Sequence, residues 1–171
     1  MKRKILFSKE TIDQRVRELA DEISQEYEGR EILMIGVLKG AFVFLADLIR
    51  SLSIPCEIDF TRLASYGAGT VSTENIVVTK KIEMPIKGRD VVIVEDIVDT
   101  GLTLTYLINQ LKKERPRSLK VCAFIDKKRK RKIPIEADFV GFTIEDGFVV
   151  GYGLDVNEKA RFLPDVYIIE E

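Results

Sequence analysis

Short, predominantly apolar segments that alternate with helix-like segments constrain the fold of this chain more than any other feature of its sequence. The runs at Glu31–Leu38, Val91–Val94 and Leu119–Ile125 are each followed directly by a charged residue. Such short apolar runs are typical of strands buried on both faces. Thr11–Tyr27 and Leu104–Leu111 carry apolar residues at the spacing of amphipathic helices. This alternation predicts an α/β fold with a central, mostly parallel sheet flanked by helices.

The rest of the chain completes a single domain that spans residues 1–171, because the sequence contains neither an internal repeat nor a linker. Ser8 predicts the N-cap of the first helix, and Ala41–Leu52 predicts a buried second helix. The Gly-, Ser- and Thr-rich segment Ser65–Asn75 predicts an exposed loop. Further strands are predicted at Glu57–Leu63, Ile76–Ile82, Phe139–Phe142, Phe148–Val150 and Val166–Ile169.

The sequence contains no histidine, which restricts the chemistry that the chain can carry. Mechanisms that use Ser-His-Asp or Cys-His groups are excluded, as are metal sites with histidine ligands. Acid–base chemistry must come from Asp, Glu, Lys or Tyr, and a bound metal must accept oxygen ligands, which points to magnesium or manganese. The net charge of −1 gives no argument for non-specific binding of nucleic acid.

Three features of the sequence predict a cytoplasmic protein that does not contact a membrane. Cys56 and Cys122 fit no zinc or CxxC spacing and predict buried thiols, which are typical of a reducing compartment. No apolar run is long enough to cross a bilayer. The basic start at Met1–Lys4 precedes a segment rich in Glu and Asp, unlike a signal peptide.

The segment VVIVEDIVDTGLT, Val91–Thr103, carries the strongest functional signal. Its apolar strand runs into Glu95 and Asp96, and a polar turn then precedes the next helix. In doubly wound sheets, ligands bind where the carboxyl ends of strands meet helix N-termini. Backbone N–H groups and the helix dipole favour a phosphate there. Two threonines add hydroxyl donors, and Gly101 lets the backbone approach a ligand closely.

The two acidic residues directly before this turn indicate the kind of ligand. They would repel a triphosphate, but carboxylates accept hydrogen bonds from a sugar diol and bind a divalent cation. The segment has neither the GK[ST] of a P-loop nor a GxGxxG dinucleotide turn. Alternatively, Glu95 and Asp96 only end a strand, and Asp99 or Thr100 caps the helix. An acidic pair at the end of a buried strand is costly unless it binds something, which favours a ligand site.

The same segment resembles the phosphoribosyl-pyrophosphate signature of type I phosphoribosyltransferases. Three more segments are similar to the hypoxanthine-guanine branch of that family: GVLKGAFVFLADL around Lys39, LASYG around Tyr66, and DFVGFTIEDGFVVGYGLDVNEKAR near the C-terminus. The resemblance covers nearly the full length of the chain. It implies the type I phosphoribosyltransferase fold, in which N- and C-terminal segments form a small hood over the central sheet.

The resemblance also implies an activity in purine salvage. Enzymes of this branch transfer phosphoribosyl from 5-phosphoribosyl-1-pyrophosphate to N9 of hypoxanthine or guanine, which gives IMP or GMP and pyrophosphate. Mg²⁺ is the implied cofactor, because it neutralises the leaving pyrophosphate. The implied partners are these small-molecule substrates and no nucleic acid. Members usually associate through the surface of the early helices, so we expect a homodimer or homotetramer.

The implied roles at the central segment follow from the chemistry of the transfer. Asp99 corresponds to the acid–base carboxylate near N7 of the purine, because the base must lose a proton when its other imidazole nitrogen attacks ribose C1. Glu95 and Asp96 correspond to the residues that hold the ribose hydroxyls, partly through metal-bound water. The 5′-phosphate is expected in the turn formed by Asp99, Thr100, Gly101, Leu102 and Thr103.

Two other segments are expected on the pyrophosphate side. Leu38, Lys39 and Gly40 correspond to the pyrophosphate loop, whose first peptide bond is cis in the family. Arg161 corresponds to a pyrophosphate contact, for which a planar guanidinium is suited. Asp155 corresponds to a residue of the purine pocket and, with the acidic pair of the central segment, to a magnesium ligand.

The purine itself is expected to contact three residues. Lys127 corresponds to the lysine that donates to the purine O6 atom, which selects an oxo group over an amino group. Phe148 corresponds to the stacking aromatic ring, and Val149 offers its backbone carbonyl to the base edge. Lys127 begins the basic run Lys127–Lys132, which is predicted to lie in a loop between strands, with Lys128–Lys132 forming a solvated face.

The predicted loop at Ser65–Asn75 corresponds to a lid over the reaction centre. Ser65 and Tyr66 are its characteristic residues. A lid has a physical purpose here, because the transition state resembles an oxocarbenium ion that water would also trap.

Two alternative functions remain open from the sequence. One is a phosphoribosyltransferase with another base: Lys127 and the DGFVVGYGLD segment argue against adenine and pyrimidines, whereas xanthine stays open because the C2 substituent meets mainly backbone. The other is a regulator with this fold that binds RNA or DNA. The basic run Lys127–Lys132 is its only support, and the chain has no spare residues for a helix-turn-helix domain.

Overall fold

A six-stranded sheet lies at the centre of the computed structural model, which describes residues 2–66 and 75–170. Five of the six strands are parallel, and one edge strand is antiparallel to its neighbour. In chain order the elements are β1 (Lys2–Phe7), α1 (Lys9–Glu26), β2 (Ile32–Leu38), α2 (Phe42–Ser51), β3 (Cys56–Ser65), β4 (Ile76–Lys80), β5 (Asp90–Val98), α3 (Leu102–Lys113), β6 (Ser118–Lys127), β7 (Phe139–Ile144), β8 (Val149–Val150) and β9 (Val166–Glu170). The order in the large sheet is β4-β3-β2-β5-β6-β7, which confirms the predicted fold class.

The central strand β5 is buried on both faces, as its apolar sequence predicts. Val92 and Val94 pack on one face in the cluster that α1 and α2 cover. Val91 and Ile93 pack on the other face in the cluster that α3 covers. Because successive side chains of a strand point to opposite faces, one run of four apolar residues serves both halves of the core.

The predicted helices are present, with small differences in their ends. Ser8 is the N-cap of α1, and its hydroxyl accepts a hydrogen bond from the Thr11 backbone N–H at 3.2 Å. The helix therefore begins at Lys9, two residues before the apolar pattern becomes visible. Among the described residues, no helix combines the length and the apolar character that a membrane span requires.

The apolar pattern did not predict β1, which pairs antiparallel with β9 in a second, three-stranded sheet of order β1-β9-β8. Its sequence, KRKILF, is half basic, and most of the strand is exposed. The strand forms because a partner from the other end of the chain lies beside it, with Lys2 opposite Glu170. This small sheet is the hood of N- and C-terminal segments that the resemblance implies.

Two strand boundaries differ from the prediction in ways that matter for function. β5 continues past Val94 to Val98, so Glu95 and Asp96 lie within the strand and not after it. Likewise β6 ends at Lys127, which is therefore the last residue of a strand and not part of a loop. In addition, Cys122 is buried as predicted, but Cys56 is only half-buried.

Candidate active site

The carboxyl ends of β2, β5 and β6 meet at one edge of the large sheet, because neighbouring parallel strands run in register there. Gly36 of β2 lies opposite Val94 of β5, and Val98 of β5 lies opposite Asp126 of β6. The residues that follow these positions therefore gather in one region. They include the turn after β2, the acidic pair of β5, the turn before α3, and Lys127.

In β5, Glu95 is buried and Asp96 is half-buried, and among the described residues the nearest cationic influence on the pair is the charge of Arg161, which lowers the pKa of Asp96. The Glu95 side chain is 6% exposed. Burial, together with the neighbouring charge of Asp96, raises the pKa of Glu95 well above its usual range. Burial also raises the pKa of Asp96 to about 6, although the Ile97 backbone N–H donates to its carboxylate at 2.8 Å. Within residues 2–66 and 75–170, neither carboxylate forms an ion pair with Lys or Arg.

The turn after β2 contacts this acidic pair. The Leu38–Lys39 peptide bond is cis, as the resemblance implies for the pyrophosphate loop. A methyl group at Gly40 would overlap the Asp96 carboxylate, so only glycine fits at this position. On its other side, the Gly40 carbonyl oxygen lies against Gly153 of the C-terminal segment.

The C-terminal segment brings Asp155 and Arg161 to the same place. The Arg161 guanidinium lies 3.1 Å from the Asp155 carboxylate and donates to the Gly153 carbonyl at 2.7 Å. Its Nε is buried and has no hydrogen-bond partner among the described residues. The ammonium of Lys39 reaches the same segment, 2.7 Å from the Glu158 carboxylate. Two cationic side chains therefore flank the Gly40 turn, where an anion could bind.

The turn between β5 and α3 encloses a small cavity of about 110 Å³ that the predicted phosphate-binding residues line. Gly101 has φ +85°, a left-handed conformation that favours glycine, and it is the N-cap of α3 without a side-chain hydrogen bond. The Thr100 hydroxyl accepts a hydrogen bond from the Leu102 N–H at 3.3 Å. The backbone N–H groups of this turn therefore have few side-chain acceptors, which suits a phosphate ligand. Glu95, Asp99 and Thr103 also line the cavity.

Asp99 does not cap the helix, which removes the alternative explanation for this residue. Its Oδ1 is buried and has no hydrogen-bond partner among the described residues. Its Oδ2 lies 3.5 Å from the ammonium of Lys127. A buried carboxylate oxygen without a donor is costly unless a ligand supplies one.

Lys127 lies between two carboxylates. Its side chain is 7% exposed, and its ammonium is 3.5 Å from both Asp99 Oδ2 and Asp146 Oδ1. The Gly147 backbone N–H and the charge of Lys127 hold the pKa of Asp146 below its usual range. Asp146 was not predicted from the sequence, because a lone acidic residue in a loop carries no signal of its own. These contacts bring Lys127 and Asp99, which are 28 residues apart, into one site.

Phe148 and Val149 differ in exposure. Val149 is buried in β8, which pairs with β9. Phe148, directly before β8, is 53% exposed, although a phenylalanine in a short apolar segment is more often part of a core. Its backbone carbonyl accepts a hydrogen bond from Ile169 at 2.9 Å, so the residue is anchored while its ring faces solvent. An anchored aromatic ring with a free face is suited to stacking on a flat ligand.

The predicted lid lies mostly outside the described residues. Ser65 ends β3, and the Tyr66 side chain is 60% exposed. The Tyr66 N–H donates to the Asn75 carbonyl at 2.9 Å. Residues 67–74 of the predicted lid are not among those that the structure describes.

Only part of the basic run after β6 forms the predicted solvated face, because Arg129, Lys130 and Lys132 are exposed whereas Lys128 and Arg131 are not. Lys128 is half-buried and lies 2.6 Å from the buried Asp126 carboxylate. The Arg131 side chain is 13% exposed and pairs with the same carboxylate. Arg129, by contrast, is 73% exposed and lies 3.4 Å from Asp146. Much of the positive charge in this run is therefore compensated within the chain.

The chemistry of the donor set fits a magnesium ion. Glu95 and Asp96 offer carboxylate oxygens, and within the described ranges no Lys or Arg lies within ion-pair distance of either. The described residues contain no cluster of three or more Cys, Asp or Glu that could hold a metal by itself. Magnesium does not need such a cluster, because it commonly takes one or two carboxylates and completes its shell with water and substrate phosphates.

A larger cavity lies elsewhere, but its residues carry no comparable chemistry. It has a volume of about 470 Å³ and lies between β4, the segment after it, and α3. Met84, Ile86 and Leu107 are among the apolar residues that line it. The candidate site is therefore identified by its unsatisfied polar groups and not by its volume.

Comparisons with known proteins agree with this geometry. Residues 3–157 match the phosphoribosyl transferase domain family. The chain is 46% identical to a hypoxanthine-guanine phosphoribosyltransferase of Aquifex aeolicus, over 99% of this chain and 96% of that protein. It is 44% identical to the corresponding protein of Bacillus subtilis, over 98% and 93% of the two chains. A crystal structure of a Bacillus anthracis hypoxanthine-guanine phosphoribosyltransferase with HEPES in the active site superimposes with a TM-score of 0.94, at 44% identity and with 98% of each chain covered.

Proposed function

The chain belongs to the phosphoribosyl transferase family, in its hypoxanthine-guanine branch, and from this premise we propose how its residues carry out the reaction. The reaction transfers phosphoribosyl from 5-phosphoribosyl-1-pyrophosphate to N9 of hypoxanthine or guanine, as in purine salvage. One observation supports the proposed site above all others. Three carboxylates gather at one strand end: Asp99 has a buried oxygen without a hydrogen-bond partner among the described residues, and burial raises the pKa of both Glu95 and Asp96.

The sugar is proposed to lie along the carboxyl end of β5. Glu95 and Asp96 accept hydrogen bonds from the two ribose hydroxyls, directly or through metal-bound water. The turn at Asp99–Thr103 binds the 5′-phosphate through its backbone N–H groups and threonine hydroxyls. This placement fits the charges of the site. The acidic pair faces the neutral ribose diol, and the positive end of the α3 dipole faces the 5′-phosphate.

Asp99 is proposed to take the proton from the purine. The bond between ribose C1 and the pyrophosphate oxygen breaks, and its electron pair leaves with pyrophosphate. The N9–C1 bond forms from the N9 lone pair, and the proton on N7 passes to the Asp99 carboxylate and then to solvent. The buried Oδ1 of Asp99, which accepts no hydrogen bond from the part of the chain that the structure describes, is the acceptor suited to this proton.

The purine is proposed to lie between Lys127 and the hood. The Lys127 ammonium, now shared between two carboxylates, turns to donate to the purine O6 atom. A hydrogen bond from a charged donor contributes about 1.5–3 kcal/mol, which is enough to prefer an oxo over an amino group. The exposed ring of Phe148 stacks on the base, and the Val149 backbone contacts its edge.

Pyrophosphate is proposed to leave on the opposite side of the ribose. The Leu38–Gly40 turn and the Arg161 guanidinium bind its oxygens. Magnesium would be held by one or two of the carboxylates of Glu95, Asp96 and Asp155 together with the substrate, and it would supply positive charge to the leaving group. Ser65 and Tyr66, at the base of the proposed lid, help to exclude water from the reaction centre.

The alternative of a nucleic-acid-binding regulator receives no support from the basic run. Lys127, Lys128 and Arg131 each lie within ion-pair distance of an acidic side chain. Charges that are paired within the chain release few counterions on binding a phosphate backbone.

The state of association and the location of the protein stay predictions. We propose a homodimer or homotetramer that forms through the surface of the early helices, where the α2 residue Phe42 is 44% exposed. Light scattering coupled to size exclusion measures the mass, and a mass of one chain at micromolar concentration contradicts association. A cytoplasmic location rests on the sequence alone.

A spectrophotometric screen tests the proposed function. Hypoxanthine, guanine, xanthine and adenine are each supplied with the pyrophosphate sugar, with magnesium or with a chelator. We expect turnover of hypoxanthine and guanine that requires the metal, and none of adenine. Turnover of adenine in preference to hypoxanthine contradicts the role of Lys127, and equal rates in the chelator contradict the role of the metal.

A further inference from the structure

Arg131 differs from its basic neighbours in where its charge lies. Its side chain is 13% exposed, whereas that of Arg129, two residues earlier in the same run, is 73% exposed. Burying an arginine is costly unless its charge is paired and its donors are used. The contacts of Arg131 therefore indicate what it does in this fold.

The guanidinium of Arg131 reaches several acceptors at once. Its Nε donates to the Asp99 carbonyl at 2.9 Å, and one terminal nitrogen lies 3.5 Å from the Val98 carbonyl. That same nitrogen pairs with the Asp126 carboxylate and lies 3.3 Å from the Lys127 carbonyl. One planar group therefore links the end of β5 to the end of β6.

The segment that follows Arg131 extends this contact over the phosphate turn. The backbone N–H groups of Lys132 and Ile133 donate to the Thr100 carbonyl, at 2.9 and 3.3 Å. At Gly101, the nearest neighbours of an added methyl group would be the Ile135 side chain and the Arg131 stem. Three consecutive carbonyls of the turn, at residues 98–100, thus accept hydrogen bonds from this one segment.

We propose that Arg131 is a positioning residue for the transfer, an inference that rests on the function proposed above. Its guanidinium binds the carbonyls of Val98 and Asp99, and the backbone that follows it binds the Thr100 carbonyl, so that together they fix the direction in which the N–H groups of these peptides point. The guanidinium also holds the backbone of Asp99 and that of Lys127 together, and so sets the distance between the group that accepts the purine proton and the group that binds O6.

A guanidinium suits this role better than an ammonium. It offers five N–H donors in one rigid plane, so that it bonds a carboxylate and several carbonyls at fixed angles. The buried Asp126, which Lys128 also contacts, offsets the charge of Arg131 and lets the guanidinium lie largely buried between the strands. A lysine keeps the charge but cannot reach these acceptors at the same time.

The substitution Arg131→Lys tests the proposal, with Arg129→Lys as the matched control. Displacement of reacting groups by about 1 Å can cost roughly a hundredfold in rate. We expect Arg131→Lys to lower kcat at least about tenfold and to raise the KM of the pyrophosphate sugar by a similar factor. The KM of hypoxanthine should change less than about threefold, because the stacking ring is on another element. Arg129→Lys should match the parent enzyme in all three constants.

Amide hydrogen exchange tests the positioning role of Arg131 independently of the proposed function, because the measurement needs no substrate. Arg131→Lys should exchange faster than Arg129→Lys in the peptides that cover residues 98–103, with the same melting temperature to within a few degrees. If the parent chain transfers no phosphoribosyl, the proposed function fails, while the exchange result still reports on the turn. Unchanged exchange, or kinetic constants equal to those of the control, overturns the positioning role.

A second variant covers the case in which Arg131→Lys does not fold. Asp126→Asn leaves the arginine in place but removes the charge that orients it. We expect a smaller rise, of about threefold or more, in the KM of the pyrophosphate sugar and faster exchange at residues 98–103. A KM for the sugar and an exchange rate that both equal those of the parent overturn the proposal.

Discussion

The two ends of β5 bury carboxylates in opposite ways. At its first residue, Asp90 is 4% exposed and fully engaged. The Ser118 hydroxyl donates to it at 2.6 Å, Arg117 pairs with it at 2.6 Å, and Arg30 lies 3.4 Å away. Burial alone would raise its pKa, but these donors hold the pKa of Asp90 below its usual range.

At the opposite end of the same strand, the described residues place no Lys or Arg side chain within ion-pair distance of Glu95 or Asp96. Glu95 is buried, the adjacent Asp96 is half-buried, and burial raises the pKa of both. Asp99, one residue beyond the strand, has a buried oxygen to which no described residue donates a hydrogen bond. The difference teaches that burial of an acidic residue does not by itself indicate a ligand site. A buried carboxylate indicates a ligand site when the protein supplies no donor or cation to offset the free-energy cost of burying its charge.

The largest effect is expected at Asp99. Replacement by Asn keeps the shape of the side chain but removes the base, and general base catalysis contributes typically about 10²–10⁴-fold. We expect kcat with hypoxanthine to fall within this range, with the melting temperature nearly unchanged. Steady-state kinetics beside thermal unfolding measure both quantities. Turnover equal to that of the parent enzyme removes Asp99 from the mechanism.

At the satisfied end, Asp90→Asn should reduce stability without reducing catalysis. The change weakens the bonds from Ser118 and Arg117, and we expect a loss of about 1–3 kcal/mol in the free energy of unfolding. For a chain of this size that lowers the melting temperature by about 2–4 °C per kcal/mol. Calorimetry measures the shift, and an assay at 25 °C checks that kcat stays within twofold. A large loss of kcat in a folded variant contradicts the division between the two ends.

At the carboxyl end of β5, replacing a carboxylate by its amide should increase the free energy of unfolding, whereas the same change at Asp90 decreases it. Glu95→Gln removes the buried charge next to Asp96, and we expect the free energy of unfolding of the unliganded protein to rise by about 1–2 kcal/mol at pH 8. A raised pKa means that the charged carboxyl destabilises the fold above that pKa. The gain should therefore shrink as the pH falls towards 4. Chemical denaturation at several pH values measures it, and a loss of stability at pH 8 shows that Glu95 is structurally satisfied after all.

The smallest effect is expected at Asp146, which is partly exposed and shares Lys127 with Asp99. Ion pairs that water reaches contribute about 0–1 kcal/mol. We expect Asp146→Asn to change the KM of hypoxanthine by no more than about threefold, with kcat preserved. A loss of turnover as large as that of Asp99→Asn means that Asp146 has a direct part in the chemistry.

The central strands and helices could be predicted from the sequence, because their stability depends on local apolar pattern. The segment at β5 is an example, since its apolar run needs a sheet with both faces covered whatever the rest of the chain does. β1 could not be predicted in this way. Its basic, exposed sequence becomes a strand only beside β9, and a pattern within six residues carries no information about a partner at the other end of the chain.

The same distinction applies to the candidate site. Asp99 was singled out because it lies in an ordered acidic motif, and its role stays a prediction. Arg131 and Asp126 were missed because a basic run looks like a solvated surface until the fold places a buried carboxylate and free carbonyls beside it. The contacts of Arg131 depend on which residues of β5 and β6 lie opposite each other, and this register could not be predicted from the sequence.

Titration calorimetry of the pyrophosphate sugar with magnesium is the most direct test of the proposed site. The sugar and the metal are proposed to bind the acidic side chains at the carboxyl end of β5. The parent chain and Asp90→Asn should both give a saturating heat with similar affinity. The double variant Glu95→Gln, Asp96→Asn should bind at least about tenfold more weakly, since it loses the groups that hold the ribose and the metal. No heat with the parent chain, or equal affinity in the double variant, contradicts the account.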